Sequence, residues 1–347
     1  MQRQAIADAA PWGGLQNRSR YRLALLFVAT AALLTLIAPV GCDYPIYRDA
    51  ARAWLAGQSR LFDTSSLGFF YAPYSMALFA PLSLLPDRLA SGLINAASLA
   101  GLLLAVRLLI GPVRWYIVLI AIANIWTANL IGSTQMDALT TAAVAVAWHA
   151  VQERKPWLLG AAIAFLGIKP TNVWLAIGVA TLQAWRWPWR VKLKAAAIPT
   201  LAVASSFLIS GWDWPRRYLH FVGAHPPDAG YNASLLTLRG PVPVFLSVVT
   251  AIGAVVALIL ALKRHRFDGI PVAVALSLNL IVSPYVTIYH HVATIPAFVF
   301  LGKRDDLWAV LLYVASILWV IVQPPSGLFP IYPLVLSLSL AVSLWTE

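Results

Sequence analysis

The chain has 347 residues, of which 60% are apolar and 11% charged, with a mean hydropathy of +0.76. A soluble domain carries about 25% charged residues, so this composition excludes a soluble enzyme and predicts an all-α polytopic membrane protein. The formal charge of +12 is no nucleic-acid signature, because the basic residues punctuate apolar runs instead of forming one basic face.

Apolar windows of bilayer length (about 20 residues) predict about twelve transmembrane helices, within a range of ten to thirteen. They lie near 22–40, 89–109, 115–131, 136–152, 156–169, 171–186, 193–211, 241–262, 270–286, 288–302, 306–322 and 329–345. With both termini in the cytoplasm, that side holds 17 Lys/Arg against 6 acids, and the other side 8 against 7. Nearly the whole charge excess is then a positive-inside bias. Residues 1–347 read as a single integral-membrane domain with extracytoplasmic loops at 41–88 and 212–240.

The first of these loops opens with Gly41-Cys42-Asp43-Tyr44. Cys42 is the only cysteine, so no intramolecular disulfide forms, and a lipoprotein cleavage site before it would need a Leu three positions upstream that is absent. Asp43 stands at a membrane boundary, where a carboxylate is costly without a task or a partner. It is a candidate base; pairing with Arg48 or Arg52, or capping the following helix, stay open. That helix is expected to be amphipathic, with Ile46, Ala50, Ala53, Trp54 and Gly57 on one side and Arg48, Asp49 and Arg52 on the other. Residues 72–86 are apolar but short and hold three prolines, so they read as a re-entrant or surface-lying segment.

Further along, polar residues embedded near the outer ends of spans fall on the same side: Gln135, Asp137, Lys169, Asn232, Ser234, Ser283, Tyr289, His290 and His291. The span ending at Lys169 is too short to cross, and Pro170 breaks it, so the ammonium is expected inside the protein or in a wet cavity. An anion, with phosphate the natural candidate, would satisfy it; snorkelling or pairing with Asp137 stay open. Asn232-Ala233-Ser234 also fits a glycosylation sequon, a weak signal. No P-loop, dinucleotide fingerprint, HExxH, GxSxG or paired metal ligands occur, so neither a metal nor another cofactor is expected.

In order, Asp43, Tyr47, the small-residue helix 50–57, Tyr71-Ala72-Pro73, GSTQMDAL, GIKPTNVW, Asn232-Ala233-Ser234-Leu235 and Ser283-Pro284-Tyr285 leading to His291 resemble glycosyltransferase family 87. Two departures are visible: Asp137 stands where the family has an amide, and the spacing from Ser283-Pro284 to the histidines differs by one residue from some members. The resemblance implies a GT-C fold enzyme that moves a sugar, mannose favoured, from a polyprenyl-phosphate donor to a lipid or glycan acceptor. It implies inversion and a multi-pass protein, bacterial plasma membrane favoured, with the active site extracytoplasmic. Asp43 would be the general base. Lys169, His290, His291 and Tyr289 would bind the donor phosphate; Tyr47, Arg48, Tyr71, Gln135, Asp137, Asn232 and Ser234 would line the substrate site. The alternative is a flippase or transporter of lipid-linked saccharide, against which the lack of matching halves counts.

Overall fold

The computed structural model describes residues 17–58, 61–63, 69–169, 173–224, 235, 241–283, 285–322 and 331–347. Asn232, Ser234, Pro170 and Pro284 lie outside these. Every regular element among the described residues is helical. In chain order the α-helices are α1 Asn17–Ile37, α2 Tyr44–Leu55, α3 Met76–Ser83, α4 Asp87–Leu109, α5 Trp115–Ile122, α6 Ile125–Ser133, α7 Asp137–Gln152 and α8 Pro156–Leu166. They continue as α9 Trp174–Thr181, α10 Trp189–Ser210, α11 Trp214–Ala224, α12 Pro241–Arg264, α13 Ile270–Val282, α14 Ile295–Arg304, α15 Asp306–Val322 and α16 Ile331–Trp345.

Three helices are long and apolar enough to cross a bilayer by themselves: α4, α10 and the Val244–Arg264 part of α12. The pair α5 and α6 makes a fourth if it is one span bent by 56°. Several other apolar helices are shorter, because the sequence breaks them. The run 115–131, expected as one helix, stops at Ile122 and restarts at Ile125. Asn124 causes the restart: its side-chain oxygen accepts the Thr127 amide at 3.0 Å, an N-cap bond that competes with continuing the helix. The run 288–302 is likewise divided, into a 3₁₀ segment Ile288–Thr294 and α14. Among the described residues, the run 270–286 has a helix from Ile270 to Val282, and the run 171–186 has α9 followed by a 3₁₀ segment Leu182–Arg186.

Small residues let the helices approach closely, as expected where lipid supplies no hydrophobic drive between them. Gly101 on α4 faces Ala142 on α7, and Gly92 on α4 faces Ala31 and Thr35 on α1. A Cβ on Gly160 of α8 would stand 2.5 Å from the Ala195 carbonyl oxygen of α10. The largest apolar core joins α4 to α7 with α13 to α16.

A second core lies under the first loop. It joins Tyr44, Tyr47, Ala50 and Ala51 of α2 to Phe69, Tyr71, Met76 and Phe79, and reaches Met136 and Ile168. The buried residues of α2 are Tyr44, Tyr47, Ala50 and Ala51; of the expected face Ala50 is buried, Ile46 and Trp54 pack only partly against this core, and Gly57 is exposed. Two tyrosine rings offer more area to bury than Ile46, and their hydroxyls find partners: Tyr44 Oη donates to the Leu82 carbonyl at 3.3 Å and Tyr47 Oη to Gln135 Oε1 at 3.2 Å, while the Tyr47 ring stacks on Phe79 with centres 4.7 Å apart. Residues 72–86 form a 3₁₀ turn Pro73–Ser75 and the eight-residue α3, which packs on α2.

Candidate functional site

The site is built on the turn between α6 and α7. Helix α6 closes in a paired C-terminal motif, with Thr134 N donating to Ile131 O and Gln135 N to Leu130 O, both at 3.1 Å. This geometry needs a left-handed residue after the helix, and Thr134 supplies it with φ 54°. For a β-branched residue that conformation costs about 1–3 kcal/mol. Two hydroxyl contacts offset it: Thr134 Oγ1 shares a hydrogen bond with Ser91 Oγ at 2.7 Å and accepts the Gly41 amide at 3.1 Å. The strained turn is thereby tied to α4 on one side and to the start of the first loop on the other.

Gly41 is required by that contact. A Cβ there would lie 2.3 Å from Ser133 C and from Thr134 Oγ1. The close approach also lets Asp43 N donate to Ser133 O at 3.2 Å. Gly41→Ala should therefore lower stability by about 1–3 kcal/mol, the usual cost of overpacking. Thermal unfolding of the variant in detergent checks this; a midpoint equal to wild type would mean that the turn tolerates separation.

Asp43 occupies the residue before α2, yet its side chain makes no cap bond, and Pro45 stands in the first turn of the helix. Neither arginine takes it. Arg48 binds Asp49 at 2.8 Å and Asp87 at 2.5 Å, and Arg52 approaches Asp87 at 3.8 Å. The half-buried carboxylate accepts instead from Gln135 Nε2. Burial pushes the Asp43 carboxyl above the ordinary carboxylate value, opposed by the Gln135 bond and the charge of Lys169.

Gln135 is the hub. Its Oε1 accepts from Lys169 Nζ at 3.0 Å and from Tyr47 Oη at 3.2 Å, while Tyr47 Oη is 3.0 Å from Tyr71 Oη. Lys169 follows the end of α8, its amide bonded to Leu166 O at 3.2 Å. Its ammonium also pairs with Asp137 Oδ2 at 2.8 Å and lies 5.2 Å from the centre of the Tyr289 ring. The pairing with Asp137, one of the open sequence assignments, is thus present.

On the far side of Asp137, His290 Nε2 is 3.4 Å from Oδ1. Thr287 and His290 form a capping box in which His290 Nδ1 accepts the Thr287 amide at 2.7 Å. Nδ1 is then an acceptor, so the proton of the neutral ring sits on Nε2, aimed at Asp137. At 3.4 Å the Nε2–H faces the carboxylate without a completed hydrogen bond, and Nε2 has no closer polar partner among the described residues.

Asp43, Tyr47, Tyr71, Gln135, Asp137, Lys169, Tyr289 and His290 therefore come together from five segments. Two expected members do not. Arg48 points to Asp49 and Asp87 because two carboxylates satisfy its guanidinium there. His291 packs on Trp126, Trp319 and Tyr332, with ring centres 4.9, 4.7 and 6.1 Å away, and its Nδ1 is 3.3 Å from the Ile288 carbonyl. Ser283 ends α13 and donates to Tyr285 O at 3.0 Å.

Several supporting residues escaped the sequence reading. Ser91, Asn95 and Ser98 of α4 bind Thr134 Oγ1, Ile131 O and Gln135 O at 2.7, 3.2 and 3.4 Å. Their signal was a polar stripe at helical spacing inside an apolar span. Tyr285, named in the Ser283-Pro284-Tyr285 motif without a role of its own, has its ring centre 5.6 Å from that of His290.

The sequence model of glycosyltransferase family 87 matches residues 69–284. It encloses Gln135, Asp137 and Lys169, starting after Asp43 and ending before His290. No curated protein and no solved structure matches the chain. The match covers more than half the sequence and coincides with apolar helices and a convergent polar site. By that breadth the chain belongs to glycosyltransferase family 87, multi-pass membrane enzymes that transfer a sugar from a donor to an acceptor.

Proposed function

We propose that this glycosyltransferase is an inverting enzyme of the GT-C type, taking a sugar, mannose favoured, from a polyprenyl-phosphate donor. The acceptor is a hydroxyl of a lipid or glycan, and the site faces the extracytoplasmic side of a protein with about twelve membrane passes and cytoplasmic termini. The observation that carries this reading is the pairing of a carboxylate and an ammonium on opposite ends of Gln135, both beside the aromatic cap of the first loop. Family membership favours an enzyme over a lipid-linked-saccharide transporter.

In the proposed step the acceptor oxygen attacks the anomeric carbon and its proton passes to Asp43. The bond from that carbon to the phosphate oxygen breaks, and the electron pair leaves with the phosphate. A carboxyl raised by burial is a stronger base, closer to neutral pH, than a free one. Charge growing on the phosphate needs oriented donors. Asp137 already holds Lys169, so a phosphate must share that ammonium, whereas the His290 Nε2–H has no completed bond to give up. A phosphate leaves without protonation, so no second carboxylic acid is needed, unlike in glycosidases.

The test is transfer of label into extracted lipid and glycan from a panel of undecaprenyl-phosphate sugars, using membranes that contain the full chain. Transfer of mannose is expected. Transfer from a nucleotide sugar, with none from any polyprenyl-phosphate sugar, would overturn the donor assignment.

A further inference from the structure

The amide of Gln135 has one orientation open to it. Lys169 Nζ carries only donors, and at 3.0 Å it faces Gln135 Oε1. Tyr47 Oη also donates to Oε1 at 3.2 Å, which leaves it to accept from Tyr71 Oη at 3.0 Å. Oε1 is thus fixed by two donors, so Nε2–H must face the other way, toward Asp43 Oδ2. An N–H aimed at a carboxyl oxygen favours the ionised acceptor over the protonated acid.

The amide itself is held by its own backbone. Gln135 N closes the α6 turn on Leu130 O at 3.1 Å, and Gln135 O accepts from Ser98 Oγ at 3.4 Å. The side chain is buried, 3% exposed. It can neither swing to solvent nor flip without leaving the Lys169 ammonium facing an NH₂ group.

We infer that Gln135 is a positioning residue that carries the influence of Lys169 across to Asp43, keeping the carboxylate ionised and aimed. This role rests on the reading of Asp43 as the base. The groups facing Asp43 are Gln135, Lys169 and Asp137, with Tyr47 of its own helix and the hydroxyls of Tyr71, Tyr285 and Tyr289 nearby. Lys169 favours ionisation, Asp137 opposes it, and the tyrosines are neutral donors. Gln135 touches the leaving-group side only through Lys169, and it forms or breaks no bond in the reaction.

Carbodiimide labelling of Asp43 in the full-length protein gives a readout that does not depend on turnover, since the reagent adds to the protonated carboxyl. The modified peptide is followed by mass spectrometry across pH for wild type, Gln135→Leu, Gln135→Glu and Tyr47→Phe. Loss of the amide donor should raise the labelling midpoint by one pH unit or more in Gln135→Leu, a tenfold change in the ionisation constant. It should rise further in Gln135→Glu, where a second carboxylate faces the first. Tyr47→Phe keeps the amide and should move the midpoint less. Should Gln135→Glu fail to fold, the order of Gln135→Leu and Tyr47→Phe decides alone. A wild-type midpoint in Gln135→Leu overturns the inference. Transfer assays separate this from the assignment of the base: full activity in Asp43→Asn removes the base, whereas an inactive Asp43→Asn with an unmoved Gln135→Leu midpoint removes only the role of Gln135.

Discussion

Asp43→Asn is expected to lower sugar transfer by about 10²–10⁴-fold, the range that a positioned general base contributes, without unfolding the protein. The substitution keeps size and shape, and the Asp43 amide can still donate to Ser133 O. The side chain keeps an oxygen that can accept from Gln135 Nε2 and loses its charge and its capacity to take a proton. In wild type, the raised carboxyl value sets the pH dependence. The base must be ionised, so kcat/KM should rise with pH through that raised value and level off above it. The stability sign is opposite: a buried carboxyl that resists ionisation favours the folded state as pH falls through the folded value. Transfer by Asp43→Asn at the wild-type rate would remove this residue from the chemistry.

The second large effect concerns Lys169 and Asp137. Their side chains are 12% and 3% exposed, and they meet at 2.8 Å. Lys169→Met leaves a buried carboxylate without its ammonium, which typically costs about 3–5 kcal/mol. Changing both residues, Lys169→Met with Asp137→Asn, removes the orphaned charge and should restore most of the lost stability. Transfer should stay low in both variants, because the cation proposed to meet the leaving phosphate is absent. Unfolding midpoints in detergent, read with transfer rates, separate the structural part from the chemical part. A single Lys169→Met variant as stable as wild type would mean that the pair carries no net weight.

These two predictions rest on residues that were legible in the sequence for different reasons. Asp43 and Lys169 stood out because charges are rare in such an apolar chain, Asp43 at a predicted membrane boundary and Lys169 at the end of a span too short to cross. The pairing of Lys169 with Asp137 was already one of the open readings. That Gln135 would hold both Asp43 and Lys169 depends on a turn whose left-handed Thr134 has no distinctive local pattern. Arg48 was misplaced because its partner Asp87 is 39 residues away and belongs to a different helix. Among the helices, composition found the long ones, α4, α10 and α12. It ran α5 into α6 because Ala123-Asn124 is a brief interruption, and the cap bond from Thr127 to Asn124 is a local competition that hydropathy does not register.

The 3₁₀ segment Ile288–Thr294 has a consequence for how this site can change over evolution. With three residues per turn, successive side chains point about 120° apart. Tyr289 lies against Lys169, His290 faces Asp137, and His291 enters the tryptophan-lined pocket. The segment thus acts as an indexing element, in which phase decides what each ring does. Inserting or deleting one residue between Ser283 and Thr287 would shift every ring by one place, in one direction or the other, exchanging a proton donor for a packing ring without changing the rings themselves. The length of that short connector is therefore as much a part of the site as the histidine it delivers.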